Sequence, residues 1–242
     1  MLEENIETPK IQIEKPVKTL EKRWFEKYRF FYSSEGFLIV SGKDTSSNEA
    51  LVKKYVETHD IIFHADVTGS PFTLIKTEGR KPTQETLYET SQFTACYSRA
   101  WRDELASTDV YYVNPEQVSK TAQSGQFIKR GAFIIRGKRN YMRNIPLKLA
   151  VGIKVNEDVK VLAGPTSAIA KQTQYYKEVT TGNEDSKNIA AKIKYQILDT
   201  ASKEHKEKIA RLPLEKIKVH IPYGKAAIST ITRKPSKNQV TM

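Results

Sequence analysis

Tyr28-Arg29-Phe30-Phe31-Tyr32, Ser33-Ser34-Glu35-Gly36 and Phe37-Leu38-Ile39-Val40-Ser41 follow one another without interruption. Two runs rich in aromatic and β-branched residues flank four turn-forming residues. That pattern predicts two strands joined by a four-residue hairpin loop. Outward from this hairpin, Asp44 is placed to cap a helix in which Leu51, Val52, Tyr55 and Val56 share one face. Ile61-Ile62-Phe63-His64 and Phe72-Thr73-Leu74-Ile75 read as strands on either side of a turn at Gly69-Ser70-Pro71. Thr83, just after Pro82, opens what the periodicity makes the longest helix. Phe93, Cys96, Tyr97, Ala100, Trp101 and Leu105 form its expected buried stripe.

Strands dominate the next stretch. They are expected at 110–113, 117–121, 127–129, 132–136 and 147–155, with Gly125, Gly131 and Gly137 at tight antiparallel turns. Further strands at 159–162 and 175–180 flank a break at Gly164-Pro165-Thr166. Ser186 is read as the cap of a helix carrying Ile189, Ile193 and Ile197, and a charged helical stretch fills roughly 200–220. The expected class is α+β, with helices flanking a mostly antiparallel mixed sheet. Residues 1–22, interrupted by Pro9 and Pro16, read as a leader or linker. Residues 23–155 form the main domain, 156–228 a C-terminal α+β extension packed on it, and 229–242 a flexible tail.

The composition supports a folded chain. Of 242 residues 38% are hydrophobic and 28% charged, with twelve Tyr, nine Phe and two Trp, far from the low-aromatic profile of disorder. No run approaches the ~20 apolar residues of a membrane helix. The start, Met1-Leu2-Glu3-Glu4, is acidic and unlike a signal peptide. A lone Cys96 leaves no intramolecular disulfide and no Cys-based zinc site. The expected compartment is the cytosol, and no membrane partner is expected.

Net charge is +12, from 40 Lys plus Arg against 28 Asp plus Glu. Such an excess favours polyanions, nucleic acid first. The charge is clustered: from Pro115 to Ile145 stand Lys120, Lys129, Arg130, Arg136, Lys138, Arg139 and Arg143 against the single acid Glu116. Arg136 and Lys138 share one strand parity and would project from one face, with Phe133 and Ile135 on the other. The cations would neutralise phosphates, and Asn140 and Tyr141 could meet sugar, base edge or base face.

Several segments together resemble the NFACT-R domain, the RNA-binding module of nuclear export mediator factor and its bacterial and archaeal relatives. They are Trp24 to Phe31 with Ser33 to Leu38, Gly42-Lys43-Asp44 with Asn48-Glu49, Asp60-Ile61-Ile62-Phe63-His64-Ala65-Asp66, and Ala95 to Trp101. The strongest are Val113-Asn114-Pro115-Glu116-Gln117-Val118-Ser119-Lys120-Thr121, Gly125-Gln126-Phe127, Gly131-Ala132-Phe133 and Arg136-Gly137-Lys138-Arg139-Asn140. The core of the resemblance runs from about Trp24 to Ile153, and a looser part continues to Ile221-Pro222-Tyr223-Gly224-Lys225. Thr68 departs from it, standing where the family usually has a second His.

The resemblance implies an RNA-binding module of a ribosome-quality-control factor that acts on stalled large-subunit–peptidyl-tRNA complexes. Its implied partners are tRNA, ribosomal RNA and the large ribosomal subunit. The upstream domains of full-length members are not in this sequence, so it reads as a C-terminal fragment or a stand-alone NFACT-R protein. The alternatives are a stand-alone protein acting in tRNA modification and a protein-binding adaptor using the basic face.

The expected RNA-contacting residues are Gln117, Ser119, Lys120, Lys129, Arg130, Arg136, Lys138, Arg139, Asn140 and Arg143, with His64 and Asp66. His64 and Asp66, at i and i+2 on a strand, also invite a catalytic or metal reading. No nucleophile or third ligand stands near them in the sequence, so a structural or RNA-contacting pair is expected, with no enzyme activity, metal or cofactor. Cys96 is read as core. Trp24, at the edge of the fold, is the one stacking platform among the Trp residues. Gly125, Gly131 and Gly137 lack the spacing of a phosphate-binding loop.

Overall fold

The computed structural model of the chain describes residues 23–119 and 133–229. A 3-10 turn, Trp24–Lys27, leads into β1 (Arg29–Tyr32) and β2 (Leu38–Ser41). Then follow α1 (Thr45–Tyr55), β3 (Ile61–Ala65), β4 (Thr73–Lys76), α2 (Gln84–Cys96), α3 (Arg99–Arg102) and β5 (Ser107–Val113). A 3-10 turn at Pro115–Gln117 opens a ribbon of β6 (Val118–Ser119) and β7 (Ile134–Ile135), and β8 (Asn140–Pro146) comes next. The C-terminal part holds β9 (Lys148–Val155), β10 (Val159–Gly164), α4 (Thr166–Ala170), β11 (Tyr176–Asp185) and α5 (Ser186–Thr200). It ends with α6 (Lys203–Ala210), α7 (Leu214–Lys218), a 3-10 turn at Pro222–Gly224 and β12 (Lys225–Ile228).

The class is α+β. Among the described residues, six strands form a sheet in the order β1-β2-β4-β3-β5-β8, four form a second in the order β10-β9-β11-β12, and β6 pairs with β7. Every pairing is antiparallel. The opening hairpin forms as expected: Arg29 pairs with Ser41 and Tyr32 with Leu38, and the Ser33 amide donates to the Phe37 carbonyl at 2.9 Å.

Period-2 alternation sends the six-stranded sheet's side chains into two cores. On one face Phe31, Ile39, Phe63, Ala65, Ile75 and Val110 meet α2 and the four-stranded sheet in a continuous cluster. On the other, Val40, Ile62, Leu74, Tyr111 and Val113 gather with Leu51 of α1, Phe25 and Tyr28, and the ribbon residues Val118, Phe133 and Ile135 pack against them. The ribbon is therefore anchored through its apolar side chains. Buried Glu89 of α2 ties the two sheets' elements together: it accepts from the Ser34 amide at 2.9 Å and from the Ser167 hydroxyl of α4 at 2.6 Å.

Some elements differ from the sequence reading. Thr83 does cap α2, accepting from the Glu85 amide, but that helix stops at Cys96. Ser98 adopts an extended backbone and its hydroxyl accepts from the Ala100 amide at 3.2 Å, starting the separate helix α3. A serine side chain has competed with the helix for its own backbone. Leu105 lies beyond both helices and is 43% exposed, and the longest described helix is α5. That helix is capped by Asp185, whose carboxylate accepts from the Lys187 amide at 2.7 Å; Ser186 is its first helical residue. Strand β8 was not expected at all. Gln117 belongs to a 3-10 turn, and Arg136-Gly137-Lys138 is a bend with Gly137 at φ +77°, so strand parity does not relate Arg136 to Lys138. The expected strand at 132–136 appears as the short β7 (Ile134–Ile135), while the one at 127–129, residues 120–121 of the one at 117–121, and Gly125 and Gly131 lie outside the described residues.

Candidate nucleic-acid interface

The registers His64↔Tyr111 and Tyr111↔Tyr141 set three ring-bearing residues side by side on the second face of the six-stranded sheet. Phe72, just before β4, extends the row on the other side of His64. Ring centres are 5.0 Å apart for Phe72–His64, 5.7 Å for His64–Tyr111 and 5.6 Å for Tyr111–Tyr141. Phe133 of the ribbon meets Phe72 edge-on at 5.2 Å. The row ends at β8, the edge strand, so its last member looks outward.

Two arginines lie over the outer rings. The Arg139 guanidinium is 4.7 Å from the centre of Tyr111, and that of Arg143 is 3.9 Å from the centre of Tyr141. In such cation–ring contacts the negative face of the ring attracts the cation and keeps the guanidinium close to it. Arg143 also pairs with Asp109 at 2.5 Å, and the Asn144 amide donates to the same carboxylate at 2.8 Å. These contacts, the Asn144 amide first, hold the Asp109 carboxyl below the usual range.

Burial between Phe72 and Tyr111 pushes His64 down to about 4, and the charge of Arg139 lowers it further against the Ala65 backbone contact and Asp66. Its imidazole is neutral at physiological pH, with Nδ1 3.4 Å from the Tyr111 hydroxyl. It can exchange a hydrogen bond but cannot act as a cation toward phosphate. Asp66 lies past the end of β3; its side chain is exposed and its amide donates to the Asp109 carbonyl at 2.8 Å.

Gln117 shapes the bend before β8. Its amide nitrogen donates to the carbonyls of Arg136 and Lys138, both at 2.8 Å, while its oxygen accepts from the Asn114 amide at 3.0 Å. All its polar atoms are committed within the protein. The bend it holds leaves Arg136, Lys138, Arg139 and Asn140 exposed in a row. Asn140 donates weakly to the Tyr112 carbonyl at 3.5 Å, and Ser119 is half-buried in β6. Lys120, Lys129 and Arg130 lie outside the described residues.

The structure thus gathers Arg139, Arg143, His64 and Asp66 around one aromatic row, with Asn140 at the start of β8 and Arg136 and Lys138 exposed on the bend before it. Sequence reasoning did not single out Phe72, Asp109 or Tyr111. Asp109 and Tyr111 share a strand parity, and that alternation was the available signal. Trp24 is not a bare platform: it stacks on Tyr55 with centres 4.1 Å apart and planes 8° from parallel. Cys96 is fully buried, as expected, and burial pushes its thiol up. No group of three or more His, Cys, Asp or Glu placed to hold a metal occurs among the described residues, and no described helix is long and apolar enough to cross a membrane.

Residues 27–137 match the family described as NFACT protein RNA binding domain. The chain is 42% identical over 189 residues to "Archaeal Rqc2 homolog aRqcH" of Methanocaldococcus jannaschii, which covers 78% of this chain and 28% of that protein. It is 42% identical over 120 residues to the Homo sapiens "Ribosome quality control complex subunit NEMF", covering 49% of this chain and 11% of that one. The Drosophila melanogaster homologue of that subunit is 37% identical over 138 residues, covering 57% and 14%. The chain spans less than a third of the length of each of these relatives. The archaeal match, at 189 residues, is longer than any stretch ending at residue 137 and so reaches into the C-terminal part.

Proposed function

This chain belongs to the NFACT family and carries its RNA-binding domain, and from that premise we propose that the β8 edge is its RNA-contacting surface. The observation that carries the reading is the pair of guanidiniums held over the Tyr111 and Tyr141 rings, 4.7 and 3.9 Å from their centres. Unstacked bases in RNA stack on aromatic rings and on guanidinium planes, while Lys and Arg neutralise the adjoining phosphates. A guanidinium already held against a ring presents its outer plane at little further entropic cost.

Arg136, Lys138, Arg139 and Arg143, with Lys120, Lys129 and Arg130 from the same sequence cluster, follow the phosphates. Asn140 and Ser119 reach sugar or base edges. His64 offers a neutral hydrogen-bonding edge. Asp66, being anionic, is suited to the 2′-hydroxyl or an exocyclic amine and not to phosphate. Gln117 acts by holding the bend on which these groups stand.

The RNA is a transfer RNA or large-subunit ribosomal RNA, and the setting is a stalled large subunit carrying peptidyl-tRNA, at the ribosome in the cytoplasm. The names of the relatives, all ribosome quality-control proteins, support that setting. The module binds without chemistry of its own and without a cofactor. The test is affinity of the full chain for tRNA and for large-subunit ribosomal RNA across a salt series. Contact with several phosphates makes log K fall linearly with log salt, by about 0.7–0.9 per phosphate neutralised. Affinity that barely responds to salt would overturn the reading and favour an adaptor that docks on protein.

A further inference from the structure

The C-terminal part of the chain brings an aromatic ring, Tyr223, to a second group of cations. Tyr223 is 46% exposed, and it is held in the left-handed region at φ +50°, a conformation few non-glycine residues adopt. Two residues on, the Lys225 carbonyl accepts from the Trp101 indole at 2.8 Å. The Tyr223 hydroxyl donates to the Gly69 carbonyl at 3.5 Å, and the Arg99 amide donates to that same carbonyl at 3.2 Å. A strained, exposed ring kept in place from both sides is a feature the fold does not need for its own core.

Three arginines lie near it, and Lys43 acts on His220, three residues before it in the chain. Arg99 and Arg102 of α3 share one carboxylate, Asp103, at 3.6 and 3.1 Å. Arg29 donates to the Gly42 carbonyl at 2.9 Å and lies 4.6 Å over the Tyr97 ring. The Tyr97 hydroxyl in turn donates to the His220 carbonyl at 2.8 Å. Burial raises the Tyr223 phenol, and the nearby charges of Arg29, Arg102 and Arg99 oppose that rise. Lys43 is exposed and has no ion-pair partner among the described residues; the neighbouring Asp44 carboxylate is occupied in capping α1, accepting from the Ser47 amide at 2.8 Å. Four cations thus stand against two carboxylates, one of which is already committed.

We propose that Tyr223, with Lys43, Arg99 and Arg102, forms a second RNA contact, in which an unpaired base stacks on Tyr223 and the adjoining phosphates meet the cations. The site is composite: Tyr223 comes from the C-terminal part beyond the matched domain, and the cations from the domain itself. This rests on the reading that the chain binds RNA, and it extends the footprint. Lys43 follows β2 and Arg143 lies on β8, four strand positions away in the sheet, about 19 Å at the usual strand spacing. One RNA strand passing the end of the sheet, across the turn at Gly69, reaches both.

The experiment is binding of the full chain to fluorescently labelled tRNA, with Tyr223→Asn, Tyr223→Phe, Lys43→Ala and the double variant Arg139→Ala with Arg143→Ala. Asn tolerates the left-handed backbone, so the ring is removed without demanding a new fold. Tyr223→Asn is expected to weaken binding by about fivefold or more, the effect of losing one base stack, whereas Tyr223→Phe stays near wild type. Lys43→Ala is expected to lower the salt slope by about 0.7–0.9, one phosphate contact. Should Tyr223→Asn unfold, Lys43→Ala, at an exposed position, decides alone. If Tyr223→Asn and Lys43→Ala bind like wild type while the Arg139 and Arg143 double variant is weakened, the second contact is overturned and the first stands. If the wild type shows no salt-dependent RNA binding, both fall.

Discussion

The Arg139 guanidinium lies over the ring of Tyr111, whose hydroxyl in turn reaches His64. Arg139 is exposed while Tyr111 is buried, so the inner plane of the cation is used by the protein and the outer plane faces solvent. Charge alone would not need this arrangement; a platform for a flat ligand would.

Arg139→Ala with Arg143→Ala is therefore expected to weaken RNA binding by more than ten-fold, two stacking contacts at about 1 kcal/mol or more each. Melting temperature should shift by only a few degrees, since the Arg143–Asp109 pair is exposed and such pairs contribute about 0–1 kcal/mol. Arg→Lys at both positions keeps the charge but loses the plane, and should recover the salt slope better than the affinity. Full recovery of affinity by lysine in a fluorescence titration would show that the rings play no part in binding.

Gln117 bears no charge, yet it holds the bend that presents Arg136, Lys138 and Arg139. Gln117→Ala removes its hydrogen bonds to two exposed bend carbonyls and the Asn114 amide, and is expected to lower stability by about 0.5–1.5 kcal/mol, since water takes the freed groups. RNA affinity should fall as well, with the charge count unchanged. Denaturant melts and binding measured side by side check both; loss of stability with intact affinity would separate the bend from the RNA surface.

The opening hairpin, the Asp44 cap and the β3–β4 pair were legible because each rests on local chemistry: alternation, a capping side chain, a turn at Gly69-Ser70-Pro71. The end of α2 was not, because Phe93, Cys96, Tyr97, Ala100 and Trp101 keep helical spacing and are all buried across the break at Ser98. Periodicity reports burial and does not reveal that a serine hydroxyl has restarted the helix. Strand β8 escaped for the opposite reason: Asn140-Tyr141-Met142-Arg143-Asn144 is mostly polar because it is an edge, bulged against β5 between Thr108 and Val110. The basic cluster was plain in the sequence. Its aromatic underlay was not, because Phe72, His64 and Tyr111 become neighbours only through strand registers across three different strands.

Lys76 and Asp60 form an ion pair of 2.6 Å with side chains 9% and 1% exposed. Asp60 also accepts from the Glu57 and Thr77 amides, at 2.8 and 3.3 Å, and Lys76 donates to the Tyr55 carbonyl at 2.7 Å. Asp60→Ala takes its buried partner from the Lys76 ammonium, leaving only the exposed Glu57 carboxylate at 3.2 Å, and strands two amides; it is expected to destabilise the chain by about 3–5 kcal/mol. Lys76→Met in the same chain should return part of that loss, because the buried charge is gone. Urea melts of the two single variants and the double variant measure the coupling, and simple additivity would show that the two groups do not act as a pair.

His64 decides between chemistry and binding. Its proton affinity falls from the ordinary 6.5 to about 4, and that of His220 likewise falls to about 4, chiefly through burial. In the unfolded chain each takes a proton near pH 6.5, while in the native fold neither does until about pH 4. The stability they contribute is therefore complete above pH 6.5 and drains away as the pH drops from 6.5 to 4, by at most about 3 kcal/mol per histidine. Denaturation at pH 7 and pH 4.5 should show that loss, and His64→Gln should show less of it than wild type. An imidazole with so low a proton affinity is a poor general base near neutrality, where a useful base titrates close to the working pH. Among the described residues no hydrogen bond joins the Asp66 carboxylate to the His64 ring, and the Tyr111 hydroxyl at 3.4 Å is a loose neighbour. Incubation of the chain with tRNA and with large-subunit RNA, with and without magnesium, manganese or zinc, is accordingly expected to leave the RNA unaltered, while His64→Ala loosens the aromatic row and weakens binding. Cleavage or modification that disappears in His64→Ala, together with the His64 resonance titrating near pH 6.5, would overturn both halves of this prediction at once.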